Sequence, residues 1–135
     1  MHYSRIALAA LGATVAYFVI GGILFSALPW LKKEFMKYPA VFRPEGDMKR
    51  VMPMGMIGIL VGIVVVAVLY AMAFPAGGGV LAGARFGALI GVFVVCGFSL
   101  HNHMMLNIGI RLTVGQAIAY FVQWLGVGIV ISLIA

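Results

Sequence analysis

The chain has 135 residues, of which 64% are hydrophobic and only 9% are charged. Soluble domains are close to half apolar and a quarter charged, so this composition excludes an ordinary soluble domain and indicates an integral membrane protein. The net charge of +6 does not indicate a nucleic-acid partner, because six of the nine basic residues lie in one connection between Leu31 and Val51. Cations beside membrane spans contact anionic headgroups, so the expected partner is the lipid bilayer.

Four apolar runs predict an all-α membrane protein with four transmembrane helices in one bundle. The spans cover about 6–28, 54–74, 84–110 and 116–134, each near the roughly 20 residues that cross the hydrocarbon core. The first run exceeds the about 7 to 15 apolar residues of a signal peptide, so we expect it to be a retained span. The whole chain, 1–135, is therefore predicted to form a single transmembrane domain.

The basic loop 31–51 is the one long connection between spans. Leu31, Phe35 and Met36 recur at helical spacing among lysines, which predicts a short amphipathic helix on the membrane surface, ended by Pro39. The stretch 43–47 is typical of a turn. Pro53 then fits the first turn of the second span.

Basic residues also predict the orientation of the chain in the membrane. The side that carries loop 31–51 and Arg111 has seven basic residues, against Arg5 and Arg85 on the other side. Positive charge is retained in the cytoplasm, so loop 31–51 is expected there and both termini are expected on the opposite side. We expect the membrane to be a bacterial inner membrane.

Small residues spaced four apart predict close helix packing. They are Gly22 and Ser26 in the first span, Gly58 and Gly62 in the second, and Gly83, Gly87 and Gly91 in the third. Such spacing lets the backbones of neighbouring helices approach each other closely.

The third span carries an unusual polar cluster between Ser99 and Asn107. On a regular helical wheel of about 100° per residue, Cys96, Ser99, His103 and Asn107 share one face. His101 falls almost opposite, on the glycine-bearing side, where tight helix packing is expected. The two histidines therefore cannot hold one metal ion together.

The fourth span offers polar partners for this face. Because a short turn joins the third and fourth spans, they are expected to be antiparallel neighbours. We predict an intramembrane hydrogen-bond network made of Ser99, His103, Asn107, Gln116, Tyr120 and Gln123. His103 lies about 12 Å along the helix from Arg111, which places the cluster in the cytoplasmic half of the membrane.

The same cluster allows a second interpretation. A neutral, hydrogen-bonded His103 is the first, but His101, His103 and Met104 could also contact a metal ion, a haem or a quinone. The cofactor, if there is one, stays open, and we assign no metal site. Cys96 is expected to be a small buried hydrophobic residue.

Missing motifs disfavour catalysis and proton-coupled transport. All three acidic residues lie in the first loop, so no predicted span has the carboxylate that proton-coupled transporters usually need. Ser99 and His103 lack an acid partner or an oxyanion hole, and Gly77-Gly78-Gly79 lacks the lysine of a phosphate-binding loop. We therefore predict no catalytic residues.

Short motifs give the chain a likeness to one family. These are Gly21-Gly22-Ile23-Leu24-Phe25-Ser26, then Leu31-Lys32-Lys33-Glu34-Phe35-Met36, the polar patch of the third span and Ala119-Tyr120. In these the chain resembles the uncharacterised four-helix integral membrane proteins of bacteria that are grouped as a domain of unknown function. The resemblance implies the fold and provides no active-site residues.

These observations favour a non-enzymatic integral membrane protein. We expect an accessory or structural subunit that packs against itself as a homo-oligomer or against a larger membrane complex. A metal-, haem- or quinone-binding membrane protein is the alternative, and a small-solute transporter is the third possibility.

The predicted orientation can be tested with thiol labelling from one side of the membrane. In a Cys96→Ala background, Lys37→Cys should resist a membrane-impermeant maleimide added to the periplasmic side, whereas Ala76→Cys should react with it. The reverse pattern would contradict the charge-based orientation.

Overall fold

The computed structural model describes residues 2–135, except for the side chain of Glu45, and this part of the chain is almost entirely helical. Its helices are α1 (Tyr3–Ala27), α2 (Pro29–Met36), α3 (Glu45–Ala73), α4 (Gly79–Val94), α5 (Leu100–Met105) and α6 (Ile110–Ile134). A π-helical turn, Val95–Ser99, joins α4 to α5, and these three elements form the third span. Within residues 2–135, four helices are long and apolar enough to cross a membrane, which confirms the predicted fold class.

The four spans form one bundle in which α6 is central. α6 packs against α1 and against the third span, and α3 packs mainly against α1. Tyr17, Ile63, Tyr70, Trp124 and Ile131 belong to the buried core that these helices share.

The bundle has two ends. The end that carries the segment 29–50 and the loop 106–109 is called the basic side. The opposite end carries His2, the turn 74–78 and Ala135, and is called the far side. Here α3 and the third span meet, since the ring centroids of Tyr70 and Phe86 are 5.5 Å apart.

The helix boundaries differ from the predicted spans on the basic side. α3 begins at Glu45, so Pro53 lies inside the helix and the predicted turn at 43–47 is wrong from residue 45 onward. α6 begins at Ile110 instead of near residue 116. α3 and α6 begin before the predicted spans because an apolar run marks only the part of a helix that lies in the hydrocarbon core. The helix itself continues into the headgroup region. The third span ends early at Met105, because residues 106–109 are not helical.

The predicted amphipathic helix is confirmed as α2. Its Leu31 is fully buried and packs with Ile108 in the loop 106–109 and with Leu112 in the first turn of α6. Gly115 makes room for this contact, since a Cβ atom there would lie 2.5 Å from Leu31 Cδ1. α2 is thereby fixed against the basic end of α6.

The glycines of α4 form a seam with α6, as their spacing predicted. Gly83, Gly87 and Gly91 are all buried. A Cβ atom on Gly87 would lie 2.6 Å from the carbonyl oxygen of Trp124 and 3.1 Å from Gly128 Cα. The backbones of the two helices are therefore in direct contact. We call the contact of Gly83, Gly87 and Gly91 with α6 the glycine seam.

The π-helical turn changes which residues of the third span face α6. A π turn holds one extra residue, so the residues after it are rotated by about 100° relative to a regular helix. This rotation brings Ser99 and His103 into line with the glycine seam, and Ser99 is buried. His101 is turned away and exposed, so its predicted place on the packing face was wrong.

The other two small-residue pairs do not pack within the chain. A Cβ atom added at Gly22, Gly58 or Gly62 would meet nothing within 4 Å. Ser26 is exposed as well. The spacing rule identifies helices that can approach closely, but it does not say whether the partner is in the same chain.

The glycine seam can be tested by adding one methyl group. Gly87→Ala should lower the free energy of unfolding by about 1–3 kcal/mol, because the facing atoms are backbone and cannot move aside. Thermal unfolding in detergent measures the effect as a fall in Tm. Gly22→Ala in α1 is the matched control and should leave Tm unchanged, since a Cβ atom there meets nothing within 4 Å. An equal Tm for both variants would contradict the seam.

Candidate functional site

His103 is hydrogen-bonded across the turn between the third span and α6. Its Nδ1 lies 2.7 Å from Thr113 Oγ1. Thr113 is buried and His103 is half-buried. His103 therefore has a partner in the neighbouring antiparallel span, but the partner is Thr113 and not Gln116, Tyr120 or Gln123 as predicted.

The turn itself is fixed from the other side by the basic segment. The backbone N–H of Gly109 donates a hydrogen bond of 2.8 Å to the hydroxyl of Tyr38. A Cβ atom at Gly109 would lie 2.6 Å from that hydroxyl oxygen, so a larger residue there would displace the hydroxyl. Neither Tyr38 nor Thr113 was predicted as a site residue. Tyr38 is 71 residues from Gly109, so the pair leaves no local signal, and Thr113 precedes the predicted start of the fourth span near residue 116.

Gln123 belongs to a different contact. Its Nε2 donates a hydrogen bond of 3.1 Å to the backbone carbonyl of Tyr17 in α1, and both residues are buried. Gly21 lies beside the amide, where a Cβ atom would be 2.5 Å from Nε2. Gln123 thus fixes α6 to the first span and not to the third.

The remaining predicted members are not joined into one network. The hydroxyl of Ser99 is buried and has no hydrogen-bond partner among the described residues. Asn107 lies beyond the end of α5 and is exposed. Gln116 and Tyr120 are half-buried, and neither takes part in the side-chain hydrogen bonds between described residues. The regular wheel misplaced Ser99 and Asn107, because it ignored the π turn and the break before Asn107.

The histidines lie nearer the end of the span than predicted. α5 ends at Met105, so His103 is only about 3 Å along the axis from the last helical residue. His101 and Met104 are exposed, as is Cys96, which was expected to be buried. The two histidines therefore lie within about one turn of the end of the span.

The described residues include no group of three or more His, Cys, Asp or Glu side chains close enough to hold a metal ion. The Nε2 atom of His103 takes no part in the bond to Thr113. His101 and His103 lie on different faces of α5, so they do not converge on one ligand.

Comparison with protein-family models, curated proteins and solved structures gave no match. The likeness to bacterial four-helix membrane proteins therefore remains a prediction from the sequence.

The bond between His103 and Thr113 can be measured with a double-mutant cycle. His103→Ala and Thr113→Val should each lower the free energy of unfolding, with a coupling of about 1 kcal/mol between them. Unfolding in mixed micelles provides the values. His101→Ala is the control and should have little effect, because that side chain is exposed. A coupling near zero would show that the bond contributes nothing to stability.

Proposed function

We propose that this chain is a non-enzymatic integral membrane protein that serves as an accessory or structural subunit. In this proposal it packs against a second copy of itself or against a larger membrane complex through α3. The membrane is a bacterial inner membrane, with the basic side in the cytoplasm. The observation that carries the proposal is the open glycine face of α3.

The glycines of this chain differ sharply in their surroundings. Those of the glycine seam meet the backbone of α6, where a Cβ atom has no room. Gly55, Gly58 and Gly62 in α3 have open space in the same test. They lie within about 60° of one another on the helix, so they form one face. A face of this kind supports close approach of another membrane helix.

The basic-side half of α3 lacks a partner within the chain. The first fully buried residue along the helix is Ile63, whereas Met52, Met54 and Met56 are exposed. Methionine side chains adapt their shape to the surface that they meet. Two copies of α3 related by a two-fold axis would cover this half of the helix in each copy.

The alternatives have less support. A metal-, haem- or quinone-binding function rests on His101, His103 and Met104, of which only His103 is engaged within the bundle. Transport of a small solute rests on the membrane location alone. No specific observation on the described residues favours either function.

The proposal predicts that bulk on the glycine face prevents assembly. Gly58→Leu and Gly62→Leu should weaken self-association in liposomes roughly tenfold or more, because the helices can no longer approach closely. Energy transfer between labelled copies measures this association. Val64→Leu, on the other side of α3, is the matched control and should associate like the unmodified chain.

Two outcomes would contradict the proposal. One is an unmodified protein that runs as a monomer and copurifies with no partner in mild detergent. The other is an equal effect of Val64→Leu and Gly58→Leu, because the glycine face would then have no special role.

A further inference from the structure

An apolar groove lies on the basic side, where α1 ends and α3 begins. Its volume is about 610 Å³, and most of its lining is apolar. Phe25, Phe35, Phe42 and Met48 are among the lining residues, together with the cations Lys32 and Arg43. The groove takes no part in the glycine seam, in the bond between His103 and Thr113 or in the glycine face of α3.

The basic segment builds this groove by folding back on itself. The ring of Phe35 in α2 lies 5.4 Å from that of Phe25 and 4.8 Å from that of Phe42, measured between centroids. A turn at residues 38–42, which includes Pro39, and the extended Pro44 connect α2 to α3. The aromatic contacts hold α2 at the end of α1, so the groove extends from the last turn of a membrane span toward the charged segment.

The charges around the groove are mostly positive. The segment 29–50 contains six basic residues and three acidic ones. Lys37 pairs with Glu34, and Arg43 and Arg50 share Asp47. Lys32 lies outside these three ion pairs. Arg43 keeps 57% of its side chain exposed despite its ion pair, so it can still meet an anion.

We propose that this groove binds a phospholipid with an anionic headgroup. An acyl chain packs against Phe25, Phe35, Phe42 and Met48, and the headgroup phosphate lies against Lys32 and Arg43. An amphiphile fits because the apolar wall and the cationic rim meet at the end of a membrane span, where the glycerol and phosphate of a lipid lie. This site is independent of the subunit role proposed above.

The test compares two pairs of charge substitutions in the full-length protein. Delipidated protein in neutral detergent is titrated with phosphatidylglycerol or with phosphatidylcholine of the same acyl chains, and native mass spectrometry counts the bound lipids. Lys32→Gln with Arg43→Gln removes the cations of the groove. The control pair, Lys33→Gln with Arg50→Gln, removes the same number of positive charges from residues that do not line the groove. Each pair of substitutions also removes one ion pair to Asp47.

The unmodified chain should bind its first phosphatidylglycerol roughly tenfold or more tightly than phosphatidylcholine. The groove pair should lose this preference and the control pair should keep it. An equal loss in both pairs, or no preference in the unmodified chain, would overturn the proposal.

Further measurements distinguish binding of the whole lipid from binding of its headgroup alone and from a loss of folding. Met48→Trp leaves every charge in place but adds bulk to the apolar wall of the groove, so it should weaken binding of phosphatidylglycerol. Unchanged binding in that variant would overturn the proposal. Glycerol phosphate at millimolar concentration should not compete, and competition would instead indicate a site for free phosphate. Circular dichroism and the elution profile confirm that each variant is folded.

Discussion

The direct contact between the backbones of α4 and α6 is the constraint on which the rest of the bundle depends. Lipid provides little hydrophobic drive for helix association, so helices in a membrane adhere by close van der Waals contact. Gly83, Gly87 and Gly128 allow that contact, since a Cβ atom at any of them would overlap backbone. The seam sets the axis of the third span against α6, and α6 in turn packs on α1.

The π-helical turn lets this seam continue to the basic end of the third span. With a regular helix, Ser99 and His103 would turn away from α6 after the last glycine. The extra residue in Val95–Ser99 rotates them back, so that His103 reaches Thr113. On the basic side of this bond, α2 packs against the start of α6 and Tyr38 accepts a hydrogen bond from Gly109 in the loop 106–109. The bond between His103 and Thr113 thus joins the third span to α6 at the basic end of the bundle.

Much of the fold could be predicted from the sequence, because the length of an apolar run reports directly on a membrane span. The helix ends could not, since Pro53 and Arg111 lie in helices that continue beyond the hydrocarbon. The glycine seam was predicted as a pattern, but the identical spacing of Gly58 and Gly62 leads to no contact within the chain. A pattern of small residues encodes the ability to pack and not the partner.

The candidate site was harder to predict for a physical reason. Every angle on a helical wheel assumes one constant rotation per residue, and the stretch 95–99 has no proline or other local sign of the π turn. The π turn rotates the later residues by about 100°. His103 therefore lies on the glycine side of the third span and His101 does not, which is the reverse of the prediction. Gln123 was placed on the right helix, but it faces Tyr17. The fold class therefore followed from composition, whereas the pairing of polar groups depended on one extra residue.

The most direct test of this account is a spin-label scan of residues 88–103 in liposomes that leaves Gly91 unlabelled, with accessibility to dissolved oxygen as the readout. Oxygen concentrates in lipid, so lipid-facing positions should show high accessibility and positions against α6 should show low accessibility. We expect minima at residues 90 and 94, which pack against the core, and again at 99 and 103. Residues 89, 93 and 101 should be maxima, with one break in the period between 95 and 99. An unbroken helical period, with residue 101 protected and residues 99 and 103 open to lipid, would contradict the account.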